Sequence, residues 1–207
     1  MYEEVISDLR HAYNLSAEER ELGELSAWKI EERQAFLDLL QREEKATLLE
    51  IGAGPGKDSK FFQDNGMQVI GTDLSAEMVK LCQDKGLEAY VMDFMNLDFP
   101  NENFDAIYAL NCLLHVPKKD LQAILENLHK LLKPSGLFFM GVYGGMDSEG
   151  VWEGDHHQPK RFFSNYSDDK LLDAVSGMFE VDNFKTITLA EVEDSDLHAQ
   201  RLILRKV

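Results

Sequence analysis

Residues 48–56 read Leu-Leu-Glu-Ile-Gly-Ala-Gly-Pro-Gly, an apolar run followed by three alternate glycines. A helical pattern begins at Lys57, so this region predicts a buried strand, a tight turn and a helix. Glycine suits such a turn because the backbone takes positive φ angles there and lets a ligand approach closely. In open α/β sheets ligands bind at the carboxyl ends of the strands, which is where this turn would lie.

Two familiar nucleotide-binding patterns fit the turn poorly. The dinucleotide pattern G-x-G-x-x-G accommodates Gly52 and Gly54, but Lys57 stands where its third glycine belongs. The P-loop pattern fails at two positions, because Ile51 and Asp58 occupy the places of a glycine and of a Ser or Thr. The glycines therefore call for a different interpretation.

The pattern E/D-x-G-x-G-x-G is matched in full by residues 50–56. A carboxylate at Glu50 would repel a pyrophosphate, but it attracts a ligand that carries ammonium and sulfonium groups. On this motif the chain resembles the class I S-adenosylmethionine-dependent methyltransferases, mainly over residues 47–207. The alternative is an ordinary glycine turn in another α/β protein.

Length and charge limit the possible functions. The 207 residues suggest one domain, and a hydrophobic share of 44% is typical of a globular protein. We divide it into an N-terminal helical cap (residues 1–45) and an α/β core (47–207) with a substrate lid (144–166). The net charge of −17 should repel nucleic acids and anionic membranes, so we expect neither as a partner.

Other bulk features predict a cytoplasmic protein. No apolar run reaches the roughly 18 residues that suggest a transmembrane helix. The acidic start of the chain, Met-Tyr-Glu-Glu, does not resemble a signal peptide. Two cysteines, Cys82 and Cys112, do not form a disulfide framework. The sequence leaves both a monomer and a homodimer open.

Hydrophobic periodicity predicts strands alternating with helices up to about residue 145, then two closing strands. The predicted strands are residues 47–51, 67–71, 87–92, 104–110, 137–143, 179–189 and 197–207. The predicted helices of the core are residues 58–64, 75–85, 118–132 and 167–176, and residues 1–45 are helical with a capping box at 16–19. This alternation predicts a doubly wound α/β sheet. The resemblance implies a Rossmann-like, mostly parallel sheet of seven strands with the last inserted antiparallel, preceded by N-terminal helices.

Strand ends supply the candidate cofactor residues. Asp73 lies 19 residues beyond Gly54, where an acid accepts hydrogen bonds from ribose hydroxyls; the alternative is a helix cap. The resemblance implies that Asp73 binds the cofactor ribose, that Asp93 and Phe94 contact the adenine, and that Asn111 meets the methionine end. The candidates for binding S-adenosylmethionine are Glu50, Gly52, Ala53, Gly54, Asp73, Leu74, Met78, Asp93, Phe94 and Asn111. Plain core packing is the alternative for Leu74, Met78 and Phe94.

The acceptor side is predicted from aromatic and polar residues. Residues 144–166 hold four glycines and many aromatics, which is typical of a functional loop rather than a disordered one. His115, after the fourth predicted strand, is a weak candidate for a base, and no other catalytic residue is named. The candidate acceptor residues are Tyr13, Trp28, Tyr143, Trp152, His156, His157, Arg161 and Tyr166. Adjacent His156 and His157 lack a third spaced ligand, so we predict no metal.

The resemblance implies methyl transfer from S-adenosylmethionine to a small-molecule acceptor by in-line displacement. Such a reaction needs mainly proximity and orientation, because the sulfonium methyl is already activated. The sequence lacks Asn-Pro-Pro-Tyr, which disfavours transfer to amino groups of bases or glutamine. Two alternatives stay open: a non-catalytic protein that binds S-adenosylmethionine, and an NAD-dependent oxidoreductase, which Glu50 and Gly56 disfavour.

Overall fold

The computed structural model describes residues 2–189 and 197–207. Its strands are β1 (Thr47–Ile51), β2 (Gln68–Asp73), β3 (Glu88–Val91), β4 (Phe104–Leu110), β5 (Leu132–Gly144), β6 (Ser148–Val151), β7 (Phe162–Asn165), β8 (Phe179–Thr188) and β9 (His198–Lys206). Its helices are α1 (Tyr2–Leu15), α2 (Ala17–Leu22), α3 (Ala27–Arg42), α4 (Lys57–Asp64), α5 (Ala76–Asp84), α6 (Lys118–Leu131) and α7 (Asp168–Ser176), with a 3-10 turn at Leu113–His115. The acidic stretch 191–196, expected to join the last two strands, lies outside the described residues.

Seven strands form one sheet in the order β3-β2-β1-β4-β5-β9-β8. The strands from β3 to β5 pair in parallel, whereas β9 pairs antiparallel with both β5 and β8. This confirms the predicted mostly parallel sheet with the last strand inserted antiparallel. The direction of winding reverses between β1 and β4, which creates a crevice at their carboxyl ends.

Both faces of the sheet are covered, which is why its central strands are almost wholly apolar. On one face α6 packs through an apolar stripe. That stripe consists of Leu121, Ile124, Leu125, Leu128 and Leu131. On the other face Phe36, Leu37 and Leu40 of α3 pack against Phe62 and Tyr108. The N-terminal helix α3 is therefore part of the folded core.

Several local predictions were wrong. Residues 144–166 are not only a loop, because β6 and β7 pair there as an antiparallel hairpin. The capping box at 16–19 is absent: Ser16 Oγ contacts the carbonyl of Tyr13, and no cap hydrogen bond forms. Strand β5 begins at Leu132, directly after α6, rather than at residue 137. No helix in residues 2–189 and 197–207 has the length and apolarity to cross a membrane.

Candidate active site

The glycine turn after β1 takes the predicted backbone conformation. Gly52, Gly54 and Gly56 have φ angles of 65°, 54° and 81°. Gly52 is also held closely, because a Cβ there would lie 2.4 Å from the Cβ of Cys112. A Cβ on Gly54 would meet nothing within 4 Å. The turn thus packs on the loop after β4 at one glycine and faces open space at the next.

This difference predicts the effects of two substitutions. Both Gly52→Ala and Gly54→Ala should lose about 1–2 kcal/mol of unfolding free energy, because a Cβ disfavours the left-handed conformation. Only Gly52→Ala adds the collision with Cys112, so it should cost at least about 1 kcal/mol more, the lower end of the usual cost of overpacking. Denaturant unfolding of the matched pair measures the difference. Equal losses would contradict the close contact.

Asp73 connects the glycine turn to the end of β2. Its Oδ2 accepts the backbone N–H of Gly54 at 2.8 Å, and its Oδ1 accepts that of Ser75 at 2.8 Å. Burial raises the pKa of Asp73, and these backbone donors oppose the rise. The helix cap of α5 is Ser75, whose Oγ accepts the N–H of Met78 at 3.2 Å, so the cap interpretation of Asp73 was wrong.

A cavity lies over this turn. Like small-molecule and cofactor sites, it combines apolar walls with a few polar groups. All the predicted cofactor residues line it except Glu50 and Ala53. The lining consists of Tyr2, Ile6, Leu9, Tyr13, Arg20, Gly52, Gly54, Asp73, Leu74, Met78, Met92, Asp93, Phe94, Leu110, Asn111, Cys112, His115 and Val116. Residues from the sheet edge and from helices α1 and α2 therefore line the same cavity.

Glu50 and Ala53 line a second cavity, which also borders the glycine turn. Glu50 is 3% exposed and accepts a hydrogen bond from the hydroxyl of Ser59. Burial, together with the nearby charge of Asp58, raises the pKa of Glu50 well above its ordinary value. The two cavities meet at Gly52 and Gly54.

Asn111 lies where the cavities meet, at the end of β4. It has a positive φ of 55°, which is uncommon for a residue other than glycine. Its backbone N–H donates to Gly141 at 2.7 Å, whereas its Oδ1 is buried without a hydrogen-bond partner. A buried acceptor without a partner costs free energy, so its presence beside a cavity fits a ligand that supplies a donor. The positive φ and the unpaired oxygen keep Asn111 a candidate for contact with the cofactor.

Tyr13 and His115 form a hydrogen-bonded pair in the first cavity. Tyr13 Oη lies 2.6 Å from His115 Nε2, and His115 Nδ1 lies 2.7 Å from the carbonyl oxygen of Phe162. A carbonyl can only accept, so Nδ1 carries the proton and Nε2 accepts the Tyr13 hydroxyl. Burial lowers the pKa of His115 to about 3, and burial raises the pKa of Tyr13. Both side chains are therefore neutral near pH 7.

Arg161 completes this network from the β6–β7 hairpin. Its Nη1 donates to Tyr13 Oη at 3.2 Å, while Nε and Nη2 donate to the two oxygens of Asp155 at 2.8 and 2.9 Å. Burial alone would raise the pKa of Asp155, but the hydrogen bonds and charge of Arg161 bring it below the usual range. The positive charge of Arg161 is thus already balanced by a buried carboxylate.

Comparison with known proteins agrees with this geometry. Residues 48–136, which include the glycine turn, Asp73 and the loop after β4, match the family model described as methyltransferase domain. Residues 48–136 are a methyltransferase domain.

Curated relatives point the same way. Phosphoethanolamine N-methyltransferase 3 of Arabidopsis thaliana is 29% identical over 134 residues, covering 60% of this chain and 27% of that protein. Sterol 24-C-methyltransferase of Aspergillus fumigatus is 26% identical over 195 residues, covering 83% of this chain and 50% of that protein. The chain therefore spans half or less of the length of these relatives.

A solved structure shows the same fold as this methyltransferase domain and its flanking helices. It is 1,6-didemethyltoxoflavin-N1-methyltransferase of Burkholderia thailandensis, with bound 1,6-didemethyltoxoflavin and S-adenosylhomocysteine. Its TM-score is 0.77 at 20% identity, and the match covers 100% of this chain and 91% of that one. At this identity the likeness concerns the fold, and it extends over the N-terminal helices and the β6–β7 hairpin.

The predicted acceptor residues other than Tyr13 lie outside the lining of the first cavity. Trp28 and Tyr143 contact each other edge to face, with ring centroids 6.4 Å apart. Trp152 is 54% exposed and packs its ring against Phe163. The Nζ of Lys118 lies over the ring of Tyr166, 4.8 Å from its centroid. None of these four side chains lines the first cavity.

The histidines of the hairpin cluster with Asp155. Among the described residues, Asp155, His156 and His157 could bring ligand atoms within 4.8 Å of one another. Both oxygens of Asp155, however, accept hydrogen bonds from Arg161, whose charge would repel a metal cation. His157 Nδ1 lies 3.2 Å from Asp155 as well. The Asp155 carboxylate at the centre of the cluster is therefore already paired with Arg161.

Sequence reasoning missed part of the lining of the first cavity. The missed lining residues are Ile6, Leu9, Arg20, Met92, Leu110, Cys112 and Val116. Ile6 and Leu9 belong with Tyr2 and Tyr13 to one stripe of α1, with helical spacings of four, three and four residues. That stripe was visible in the sequence, but only the fold shows that it covers the cavity.

The low pKa of His115 predicts how stability depends on pH. In the unfolded chain His115 has a pKa near 6.5, whereas in the native state it is about 3, so between these values the unfolded state binds more protons. Stability therefore falls as pH decreases below about 6.5, by up to about 1.4 kcal/mol per pH unit. Between pH 7 and pH 5, the free energy of unfolding of the wild-type protein should fall by about 2 kcal/mol more than that of His115→Gln. Parallel unfolding curves for the two proteins would contradict a buried neutral imidazole.

Proposed function

We propose that this chain transfers the methyl group of S-adenosylmethionine to a small-molecule acceptor by in-line displacement. One observation carries the proposal: the glycine turn with Asp73 and the Tyr13–His115 pair line the same enclosed cavity. A cofactor held by the glycine turn and Asp73 would face the Tyr13–His115 pair. The reactions named for the relatives, on phosphoethanolamine and a sterol, support the general reaction but not a particular acceptor.

The residues present fit this cofactor. Asp73 would accept the ribose hydroxyls, and Asp93 and Phe94 would contact the adenine between Leu74 and Met78. Gly52 and Gly54 let the ligand approach the backbone, and the unpaired Oδ1 of Asn111 suits an ammonium group. The bound cofactor would supply an activated methyl group, so the protein's task is to place the acceptor in line with it.

The Tyr13–His115 pair is our candidate for orienting that acceptor. Nε2 of His115 is a neutral acceptor, and the backbone carbonyl of Phe162 keeps it in that tautomer. An acceptor hydroxyl that enters between the two side chains could accept a hydrogen bond from Tyr13 Oη and donate one to His115 Nε2. Its proton would pass to Nε2 as the carbon–oxygen bond forms and the carbon–sulfur bond breaks. With a pKa near 3 the imidazole is a weak base, so it would act once methylation has made the acceptor acidic.

We also propose that the β6–β7 hairpin is the lid of the acceptor site. The hairpin carries Arg161, which reaches Tyr13 across the cavity wall, and Phe162, whose carbonyl holds His115. Its aromatic side chains Trp152 and Phe163 pack on each other and would exclude water. His156, His157 and Tyr166 would then shape the outer wall rather than contact the reacting atoms.

Truncating Trp152 tests the lid. Trp152→Ala should lower kcat/KM by about tenfold, equivalent to about 1.4 kcal/mol of transition-state stabilisation. It should leave stability and S-adenosylhomocysteine affinity near wild type, because the side chain is 54% exposed and outside the cofactor cavity. Val151→Ala, a similarly exposed site on the same hairpin, is the control. A fall in melting temperature without a loss of transfer would favour a static cover.

The direct test of the reaction uses S-adenosylmethionine with a deuterated methyl group and a metabolite extract. Mass spectrometry should find the label on an acceptor only when the protein is present. If the cofactor binds but no labelled product forms in any extract, the non-catalytic alternative is correct. If the protein instead oxidises NADH with any metabolite, the oxidoreductase alternative is correct.

A further inference from the structure

Arg20 is a cation at the junction of the two cavities. It belongs to α2 and lines both of them. Among the described residues no carboxylate forms an ion pair with it; its guanidinium lies over the ring of Tyr13, 5.1 Å from the centroid. In a chain with 38 acidic and 21 basic residues, an arginine without an ion-pair partner beside a cavity is informative. Its donors are free for a ligand.

The junction also offers an acceptor. The residues common to both cavities are Arg20, Gly52, Gly54, Leu110 and Asn111. The buried Oδ1 of Asn111 has no partner, while Arg20 has donors without a carboxylate to receive them. An unpaired acceptor and an unpaired cation around one passage are complementary to a zwitterion, which carries an ammonium and a carboxylate a few ångström apart.

We infer that Arg20 binds the carboxylate at the amino-acid end of the cofactor, with Asn111 Oδ1 facing the ammonium. The inference rests on the proposed function, which directs the adenine and ribose toward Asp73 and Asp93 in the first cavity. The remaining end of the ligand then passes Gly52 and Gly54 and arrives at the junction. Arg20 is thus a specificity-determining residue: it favours ligands with an intact amino acid over adenosyl thioethers that lack the carboxylate.

An anionic group on the acceptor is the competing partner for Arg20. The second cavity is lined by charges of both signs: Glu19, Glu24, Glu50 and Asp58 would repel an acceptor's phosphate or carboxylate, whereas Lys29 and Lys57 would attract it. The cofactor end carries an ammonium beside its carboxylate, so it can meet charges of both signs in this lining. Charge therefore favours the zwitterion at this position.

Calorimetry with three ligands tests the assignment. The ligands are S-adenosylhomocysteine, its decarboxylated analogue that keeps the amine, and 5′-methylthioadenosine, which lacks the whole amino-acid end. Arg20→Gln should weaken the binding of S-adenosylhomocysteine at least tenfold, as expected for the loss of a hydrogen bond to a charged group. It should change the affinity of the other two ligands by less than twofold. Arg20→Lys keeps the positive charge, so its affinity for S-adenosylhomocysteine should lie between those of wild type and Arg20→Gln.

The control variant is Arg10→Gln, which removes a positive charge from an exposed position on α1 outside both cavities. It should bind all three ligands like wild type. Unchanged S-adenosylhomocysteine affinity in Arg20→Gln would overturn the inference and leave the proposed function standing. An equal loss for all three ligands would also overturn it, because Arg20 would then support the fold of the site. Failure of wild type to bind S-adenosylhomocysteine would overturn the proposed function itself.

Discussion

His115→Gln should lower kcat for methyl transfer by at least about a hundredfold, within the range that positioned acid–base groups contribute. The reason is geometric: His115 Nε2 lies 2.6 Å from the Tyr13 hydroxyl inside the cavity, and glutamine cannot reproduce the imidazole held by the Phe162 carbonyl. Affinity for S-adenosylhomocysteine should change by less than about threefold. Steady-state kinetics on the labelled acceptor, with calorimetry of the cofactor product, measures both quantities.

Two further variants show whether the pair acts as a unit. Tyr13→Phe should lose activity to a similar degree, and the double variant should lose little more than either single one, since groups that act together are not additive. His11→Gln, an exposed histidine on the same helix as Tyr13, is the control and should behave like wild type. Additive losses, or full activity in His115→Gln, would contradict a functional Tyr13–His115 pair.

Asp73→Ala should weaken S-adenosylhomocysteine binding by about 1.5–3 kcal/mol, or roughly 10- to 150-fold. The carboxylate is 8% exposed and lines the cavity, so it can meet the ribose while its two oxygens hold Gly54 and Ser75. The substitution removes the proposed ribose contact and frees the glycine turn.

Ser75→Ala separates this effect from helix capping. Ser75 caps α5, so its loss should cost about 1 kcal/mol of stability with little change in cofactor affinity. Asp73→Ala should therefore affect mainly cofactor binding, and Ser75→Ala mainly stability. If Asp73→Ala lowered the melting temperature but bound S-adenosylhomocysteine normally, the carboxylate would be a support of the turn and not a ligand of the ribose.

The fold was predictable because its signals are local. The apolar run before Gly52, the Asn65-Gly66 stop after α4 and the apolar stripe of α6 each follow from short-range periodicity and turn chemistry. Together they predict strands that alternate with helices, whereas the antiparallel insertion of β9 was implied only by the resemblance to the class I methyltransferases. The β6–β7 hairpin was missed because its pairing joins Ser148 to Asn165 across a stretch rich in glycine and charge, where no alternation marks a strand.

The site was predictable only in part for a similar reason. The glycine turn, Asp73 and Asn111 sit at strand ends, and strand ends can be located from the sequence. The contact between Tyr13 and His115 spans 102 positions, and nothing in a single sequence reports it. Arg20 looks like any surface charge of a short helix, and only the placement of its neighbours in space shows that no carboxylate in residues 2–189 and 197–207 forms an ion pair with it.

Equilibrium binding of the cofactor product tests the central claim most directly. Titration calorimetry of the wild-type protein should show S-adenosylhomocysteine binding with a Kd in the micromolar range, about −8 kcal/mol, and NADH binding much more weakly. The same titration with Asp73→Ala should shift only the first of these affinities. Tighter binding of NADH than of S-adenosylhomocysteine, or no binding of S-adenosylhomocysteine at all, would contradict the account.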